Sequence, residues 1–424
     1  MPGFRDSQAA LVVGLVGGSH VVNHMYFMLL PPVTTVAAAD LGVDAAGIGL
    51  AIGLLGLVVT GLQLPFGHLS DTRGRTVVLA ISLGFGAVGA ALTATADSYA
   101  WLLGAQVILG IGIAGHHPAH YPLLSAATDP GTRGRAFSVH GFTGAVGFAL
   151  PPAIVAATTR LGFGWRIALG AIAAVGAVYA AVCLWTLRRH VDAEITAPTD
   201  TSRAGESWSI GRVRRLPGRA AGALRGMVST PGIVLLTVLW LLTSMGAWGI
   251  KTQTVPLLTG TYGLGSAAAN ALVSAMFVLG AVLMFGGGWL TDRTSPGAVL
   301  VAGYVAFVGV TALLATGALP VVAAGGLALV LAATIDYSRP ARATLADRFS
   351  TDDDIGKNFG LVTIGISGGA AVAPPILGWL SESAGVAASF GAMAAIGLVA
   401  IALTAVVLRA DGRSAVGTPQ PGDD

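Results

Sequence analysis

Twelve stretches of about 20 or more mostly apolar residues run through this chain: 8–37, 43–66, 76–95, 99–126, 134–158, 165–187, 231–258, 267–290, 297–316, 318–346, 356–381 and 386–408. A helix rises about 1.5 Å per residue, so each stretch is long enough to cross a hydrocarbon layer of about 30 Å. Backbone groups in lipid find no water, so a spanning segment must satisfy them internally, as a helix does. The chain is therefore expected to be an all-α membrane protein with twelve transmembrane helices. Composition agrees: 10% of the 424 residues are charged and 54% are hydrophobic, whereas soluble domains carry about 25% charged residues.

The connections are short, and several carry turn chemistry: Asp71-Thr72-Arg73-Gly74, Asp129-Pro130-Gly131 and Thr294-Ser295-Pro296-Gly297. One is long. Residues 188–230 are polar and basic and divide the spans six and six, giving an N-terminal bundle (1–187), a linker (188–230), and a C-terminal bundle with a short tail (231–424). Trp208–Arg225 has the composition of either a basic surface helix or a solvated linker. Eighteen of the 23 Lys and Arg lie at the termini, on the linker, or by the connections after even-numbered spans. By the positive-inside rule these parts face the cytoplasm, making this a multi-pass protein of the cell (inner) membrane. Arg5 leads into a long apolar run without a cleavage site, so the first span is expected to be retained.

The halves repeat each other. Gly67-His68-Leu69-Ser70-Asp71 answers Gly288-Trp289-Leu290-Thr291-Asp292 at a shift of 221. His117-Pro118-Ala119-His120 answers Arg339-Pro340-Ala341-Arg342 at 222, and Gly134-Arg135-Ala136-Phe137 answers Gly356-Lys357-Asn358-Phe359 at 222. Pro151-Pro152 matches Pro374-Pro375 within one residue of that shift. Parallel repeats of this kind place a substrate site between the halves, near mid-membrane.

This six-plus-six plan resembles the major facilitator superfamily. Gly67-His68-Leu69-Ser70-Asp71-Thr72-Arg73-Gly74-Arg75 is similar to its G-x-L-x-D-x-x-G-R signature between spans 2 and 3. Within the superfamily, Gly110–Pro118 and the Gly-rich stretch His140–Gly147 resemble the fosmidomycin-resistance-like exporters. The resemblance implies a cytoplasmic latch made by Asp71 with Arg73 and Arg75. Asp292, lacking the downstream Gly-Arg, implies a weaker one. Gln106 stands where many drug–proton antiporters of the superfamily carry a buried Arg, which leaves proton coupling open.

Ionisable groups inside a span are costly and are candidates for function. Span 1 carries His20, Asn23 and His24, span 4 carries His116, His117 and His120, and span 5 carries His140. Span 7 carries Lys251, and span 10 carries Asp336, Arg339 and Arg342. The expected substrate contacts are Arg339, His117, Lys251, His24, Asn23 and His120. Proton handling is assigned to Asp336, His117 and His24, and a gate to Asp71, Arg73, Arg75, Asp292 and Arg342. His20 and His116 read as packing groups, and Asp336 can equally be an ion-pair partner of Arg339, three residues on. Histidine pairs at i, i+4 (His20–His24, His116–His120) have ligand-pair spacing, but neither span offers a carboxylate, so no metal site is expected.

One cysteine, Cys183, excludes an internal disulfide, and a net charge of +3 is too small to imply nucleic-acid binding. No phosphate-binding Gly loop, HExxH, or nucleophile–base pair in a span points to an enzyme, and no cofactor is expected. The leading expectation is a monomeric secondary transporter in membrane lipid, moving a small anionic or zwitterionic molecule by alternating access. Resemblance favours proton-coupled export. An uptake carrier for an organic anion, or a receptor or scaffold that has lost transport, would keep the same fold.

Overall fold

A computed structural model describes residues 7–197, 231–349 and 355–416. Trp208–Arg225, with most of the linker, lies outside them. The helices are α1 (Ser7–Phe27), α2 (Thr34–Leu41), α3 (Ala45–Arg73), α4 (Arg75–Ala94), α5 (Tyr99–Ala114), α6 (His116–Ala127), α7 (Pro130–Arg160) and α8 (Trp165–His190). A short α9 (Ala193–Thr196) follows. The second half holds α10 (Pro231–Pro256), α11 (Ser266–Thr291), α12 (Pro296–Ala315), α13 (Val321–Asp336), α14 (Arg339–Arg348), α15 (Ile355–Ala384) and α16 (Val386–Val416). Among the described residues, twelve spans are long and apolar enough to cross a membrane, three of them broken: α1–α2, α5–α6 and α13–α14.

Local chemistry sets the boundaries. Asp44, Ser98 and Ser295 cap helices by accepting from the backbone N–H three residues on, and Pro130 and Pro296 occupy first helical positions. The turn expected over Asp71–Gly74 is shorter than its sequence suggested. α3 continues through Arg73, and Gly74, at φ 105°, makes the corner alone. The breaks in spans 4 and 10 follow one rule. Proline clashes with the carbonyl four residues earlier and leaves it without its bond. Pro118 and Pro340 act on Ala114 and Asp336, where α5 and α13 end. The span-4 break therefore falls at Gly115 rather than at the proline, and the two halves break at repeat-related positions.

The end carrying connections 74, 128–129 and 292–295 is called the linker end, and the opposite one the far end. At the far end one core runs through both halves, from Leu29, Leu55 and Leu102 to Phe277, Leu377 and Met393. At the linker end it divides into two. Val12, Phe66, Leu79 and Leu187 pack in the first half, and Leu236, Val299, Leu345 and Val407 in the second. Large apolar side chains such as Leu57, Val178, Trp185, Trp379 and Leu398 are left exposed, as lipid-facing residues are.

The far-end joint is made by close backbone approach. A Cβ at Gly53 would lie 2.9 Å from the Ala371 carbonyl oxygen, and one at Gly378 would lie 2.7 Å from that of Ala45. Asn270 Nδ2 donates to the Pro32 carbonyl at 3.1 Å, and Ser274 Oγ to that of Ala149 at 2.8 Å. Nearer the linker end, Gly67 of α3 has open space where its Cβ would be. Gln106 is buried inside the first half and donates to Thr93 Oγ1 at 3.0 Å, tying α5 to α4 with a neutral bond.

Candidate functional site

The broken helices carry the charged and titratable side chains to the middle of the molecule. α1 presents His20 and His24 on one face, and α6 begins at the span-4 break with His116, His117 and His120. α7 adds His140. The His20 ring centroid lies 3.8 Å from that of His140, 4.2 Å from His24 and 4.6 Å from His116. His116 and His120 are 3.7 Å apart. The Gly-rich stretch of α7 makes this crowding feasible. A Cβ at Gly144 would lie 2.5 Å from His20 Cε1, and one at Gly147 would lie 2.6 Å from His24 Cβ. These glycines admit two imidazoles.

His20, His116, His120 and His140 are buried, whereas His24 and His117 are half-buried. Ser19 Oγ pairs with His120 Nε2 at 2.9 Å, and His120 Nδ1 with His140 Nε2 at 3.1 Å. His117 stacks on Tyr121 at 5.4 Å, one helical turn on. That tyrosine is 47% exposed although it sits in the interior, so it faces an open cleft. Sequence reading passed over Tyr121, though its i+4 relation to His117 puts both on one face.

Across the cleft, Arg339 begins α14 with its side chain 45% exposed. Its Nε donates to Asp336 Oδ1 at 2.8 Å. An ion pair so open to water is worth about 0–1 kcal/mol, so the guanidinium can exchange partners cheaply. Its charge acts on Tyr121 of the first half and on Lys251 and Arg342 of its own half.

Lys251 does not reach the surface. It is 5% exposed, with Nζ 4.5 Å from the Phe148 ring centroid and 5.1 Å from that of Trp248. Aromatic faces stand in for water around its charge. Phe148 also stacks on His24 at 4.2 Å, so the lysine and the histidine cluster share one ring between them.

The remaining expected residues are placed differently. His120 is fully enclosed behind His117. Asn23 is 4% exposed, and its amide oxygen has no partner among the described residues. Arg342, expected at a gate, is buried. It donates to the Thr243 hydroxyl and lies 4.9 Å over Trp240, a setting wholly within the second half. Asp71 and Arg73 lie exposed on the last turn of α3, and Arg75 donates to the Ile195 carbonyl of α9 at 2.6 Å. Asp292 caps the end of α11.

The profile of the Major Facilitator Superfamily matches residues 16–338. Curated relatives include "Inner membrane transport protein YajR" of Escherichia coli, 35% identical over 150 residues, 34% of this chain and 32% of that one. "Probable L-galactonate transporter" of the same species is 23% identical over 286 residues, 64% and 59% of the two chains. "Probable 4-methylmuconolactone transporter" of Cupriavidus pinatubonensis is 33% identical over 175 residues, 39% and 38%. The alignments thus span from about a third to three-fifths of these relatives' lengths. Among solved structures, an inward-facing bacterial homologue of the human lysosomal transporter Spinster superposes with a TM-score of 0.77. It is 15% identical and covers 99% of this chain and 100% of its own. The nucleoside transporter NupG gives 0.71 at 13% identity, covering 94% and 99%. With its profile match over most of the sequence, its twelve spans and its paired halves, the chain belongs to the Major Facilitator Superfamily.

Proposed function

We propose that this protein is a secondary active transporter that moves a small organic anion or zwitterion by alternating access, coupled to protons. The observation that carries this reading is Arg339. It is a cation at a helix break between the halves, paired weakly to one carboxylate and open to the cleft. A substrate carboxylate can displace Asp336 and take the planar, two-pronged contact that guanidinium offers. Released Asp336 is then the group placed to take up a proton. L-Galactonate, in the name of one relative, is a small carboxylate of the required class. Each chain carries both walls of its own cleft, so a monomer in lipid suffices as the working unit.

The undivided core at the far end and the divided core at the linker end fit a state open at the linker end. With that end cytoplasmic, as the arginines imply, this is the inward-open state. The export direction rests on the likeness of Gly110–Pro118 and His140–Gly147 to fosmidomycin-resistance-like exporters.

Two experiments address the frame. In a Cys183→Ala background, a cysteine at exposed Ser295 is labelled only from the cytoplasmic side, and one at exposed Ala318 only from outside. Labelling of the Ser295 position from outside intact cells overturns the orientation. Asp71→Asn lowers turnover by a larger factor than affinity, because a latch acts on the conformational equilibrium. Unchanged turnover with several-fold weaker affinity places Asp71 on the substrate path instead. The function itself is tested by counterflow of labelled L-galactonate and related sugar acids in proteoliposomes. Exchange that needs the protein supports it, and its absence across a panel of organic anions and zwitterions counts against it.

A further inference from the structure

We propose that His20, His24 and His117 form a binding site for a divalent transition-metal ion of the zinc class, opening onto the cleft. Hydrogen bonds fix which ring nitrogens carry protons. His20 Nδ1 lies 2.6 Å from the His140 carbonyl oxygen, and His24 Nδ1 lies 2.8 Å from that of Gly144. A carbonyl oxygen only accepts, so both Nδ1 atoms are donors. In neutral rings each Nε2 then holds a lone pair. Yet the two Nε2 atoms face each other at 3.1 Å. Two lone pairs at that distance repel, and neither ring has a proton left to place between them. Something positive belongs there.

The geometry suits a metal ion. Two nitrogens on one tetrahedral zinc, each bonded at about 2.05 Å, lie roughly 3.3 Å apart. A ring nitrogen of His117 completes a set whose ligand atoms all lie within 4.8 Å of one another. Nδ1–H bonded to a carbonyl, with Nε2 turned to the ion, is the arrangement that orients metal-ligating histidines. Three imidazoles leave a fourth position, and His24 and His117 are the cluster's two half-buried members, so that position faces the cleft. His20 also belongs to a second close group with His116 and His140. His116 is wholly buried, with both ring nitrogens unpartnered, although a neutral imidazole must place one N–H somewhere. A nearby ion offers that group a ligand role as well. Imidazole-only donors favour zinc, copper or nickel over magnesium or calcium. The absence of a carboxylate in spans 1 and 4, which argued against a metal when each helix was read alone, loses force once the two helices pool three imidazoles at one point.

The inference does not depend on Arg339 or on an organic anion, so metal binding by a protein inactive toward such solutes leaves it standing. The test uses the full-length protein in detergent, with any affinity tag removed and Co²⁺ as the probe. Expected are visible d–d bands of a four-coordinate ion at one equivalent, lost on adding Zn²⁺. His24→Gln and His117→Gln weaken the ion by more than about 100-fold, beyond the loss that follows from removing a supporting group. His190→Gln, at an exposed position, leaves it unchanged. Should either cleft variant fail to fold, the wild-type spectrum and its displacement by Zn²⁺ decide the matter alone. Wild-type protein that binds Co²⁺ and Zn²⁺ no more tightly than the His190→Gln, His24→Gln, His117→Gln triple variant overturns the proposal. So does nitrogen NMR showing a shared proton between His20 and His24 that Zn²⁺ does not displace.

Discussion

Arg339→Gln is expected to abolish binding of an anionic substrate while leaving a folded, monodisperse protein. A charge-assisted contact is worth about 1.5–3 kcal/mol and the fork makes two, so affinity falls by roughly 100-fold or more. Folding survives because the partner left behind, Asp336, keeps 18% of its side chain exposed to the cleft and can be hydrated. Arg339→Lys rescues poorly, since an ammonium lacks the planar fork. Asp336→Asn separates two roles for the acid. If it carries the proton, this variant keeps binding and counterflow but loses accumulation driven by a pH gradient. If it only balances Arg339, the variant loses neither, and adding Asp336→Asn to Arg339→Gln does not restore transport. Full gradient-driven transport by Arg339→Gln removes this residue from the site and leaves Lys251 as the remaining anion anchor.

A wedge at the far-end joint is expected to have a comparably large effect. At Gly56 a Cβ would lie 2.5 Å from the Ala370 carbonyl carbon and 2.6 Å from the Ala371 nitrogen, both backbone atoms that cannot turn aside. Gly56→Leu therefore holds α3 away from α15. Overpacking costs about 1–3 kcal/mol, a roughly 5- to 150-fold loss of the far-closed state. Transport falls accordingly while the spans remain inserted. A cysteine at Gln253, 4% exposed and lining a far-end cavity with Thr34, Tyr99 and Glu382, becomes open to labelling from the far side only in the Gly56→Leu background. Wild-type turnover by Gly56→Leu means that closure of this joint is not part of the cycle.

The features legible in the sequence are those governed by local chemistry or by length. Twelve apolar runs became twelve spans because lipid leaves the backbone little alternative. Pro118 and its repeat partner Pro340 stand at matching places in the sequence, and each breaks its own helix at a fixed distance. Both breaks fall about a turn before the proline, because the carbonyl it displaces belongs to the residue four places earlier. The latch turn was read too long because Asp71, Thr72 and Arg73 favour turns but are tolerated in a helix end, and Gly74 supplied the corner. Contacts between helices were not legible. His20 and His116 read as packing groups when taken one helix at a time. Only the superposed faces of α1, α6 and α7 show that they meet, and only Gly144 and Gly147 explain why there is room. Arg342 looked like a gate from its depth, but Trp240 and Thr243, about 100 residues earlier in the chain, enclose it.

The central claim is that the cleft binds a small anion and that a proton gradient moves it. Purified protein in proteoliposomes, with a pH gradient imposed and labelled L-galactonate and other sugar acids supplied, tests this most directly. Accumulation of one such anion beyond equilibrium, abolished by a protonophore and by Arg339→Gln, is the predicted result. Accumulation that survives collapse of the gradient, or no protein-dependent flux of any anion or zwitterion in either direction, contradicts it.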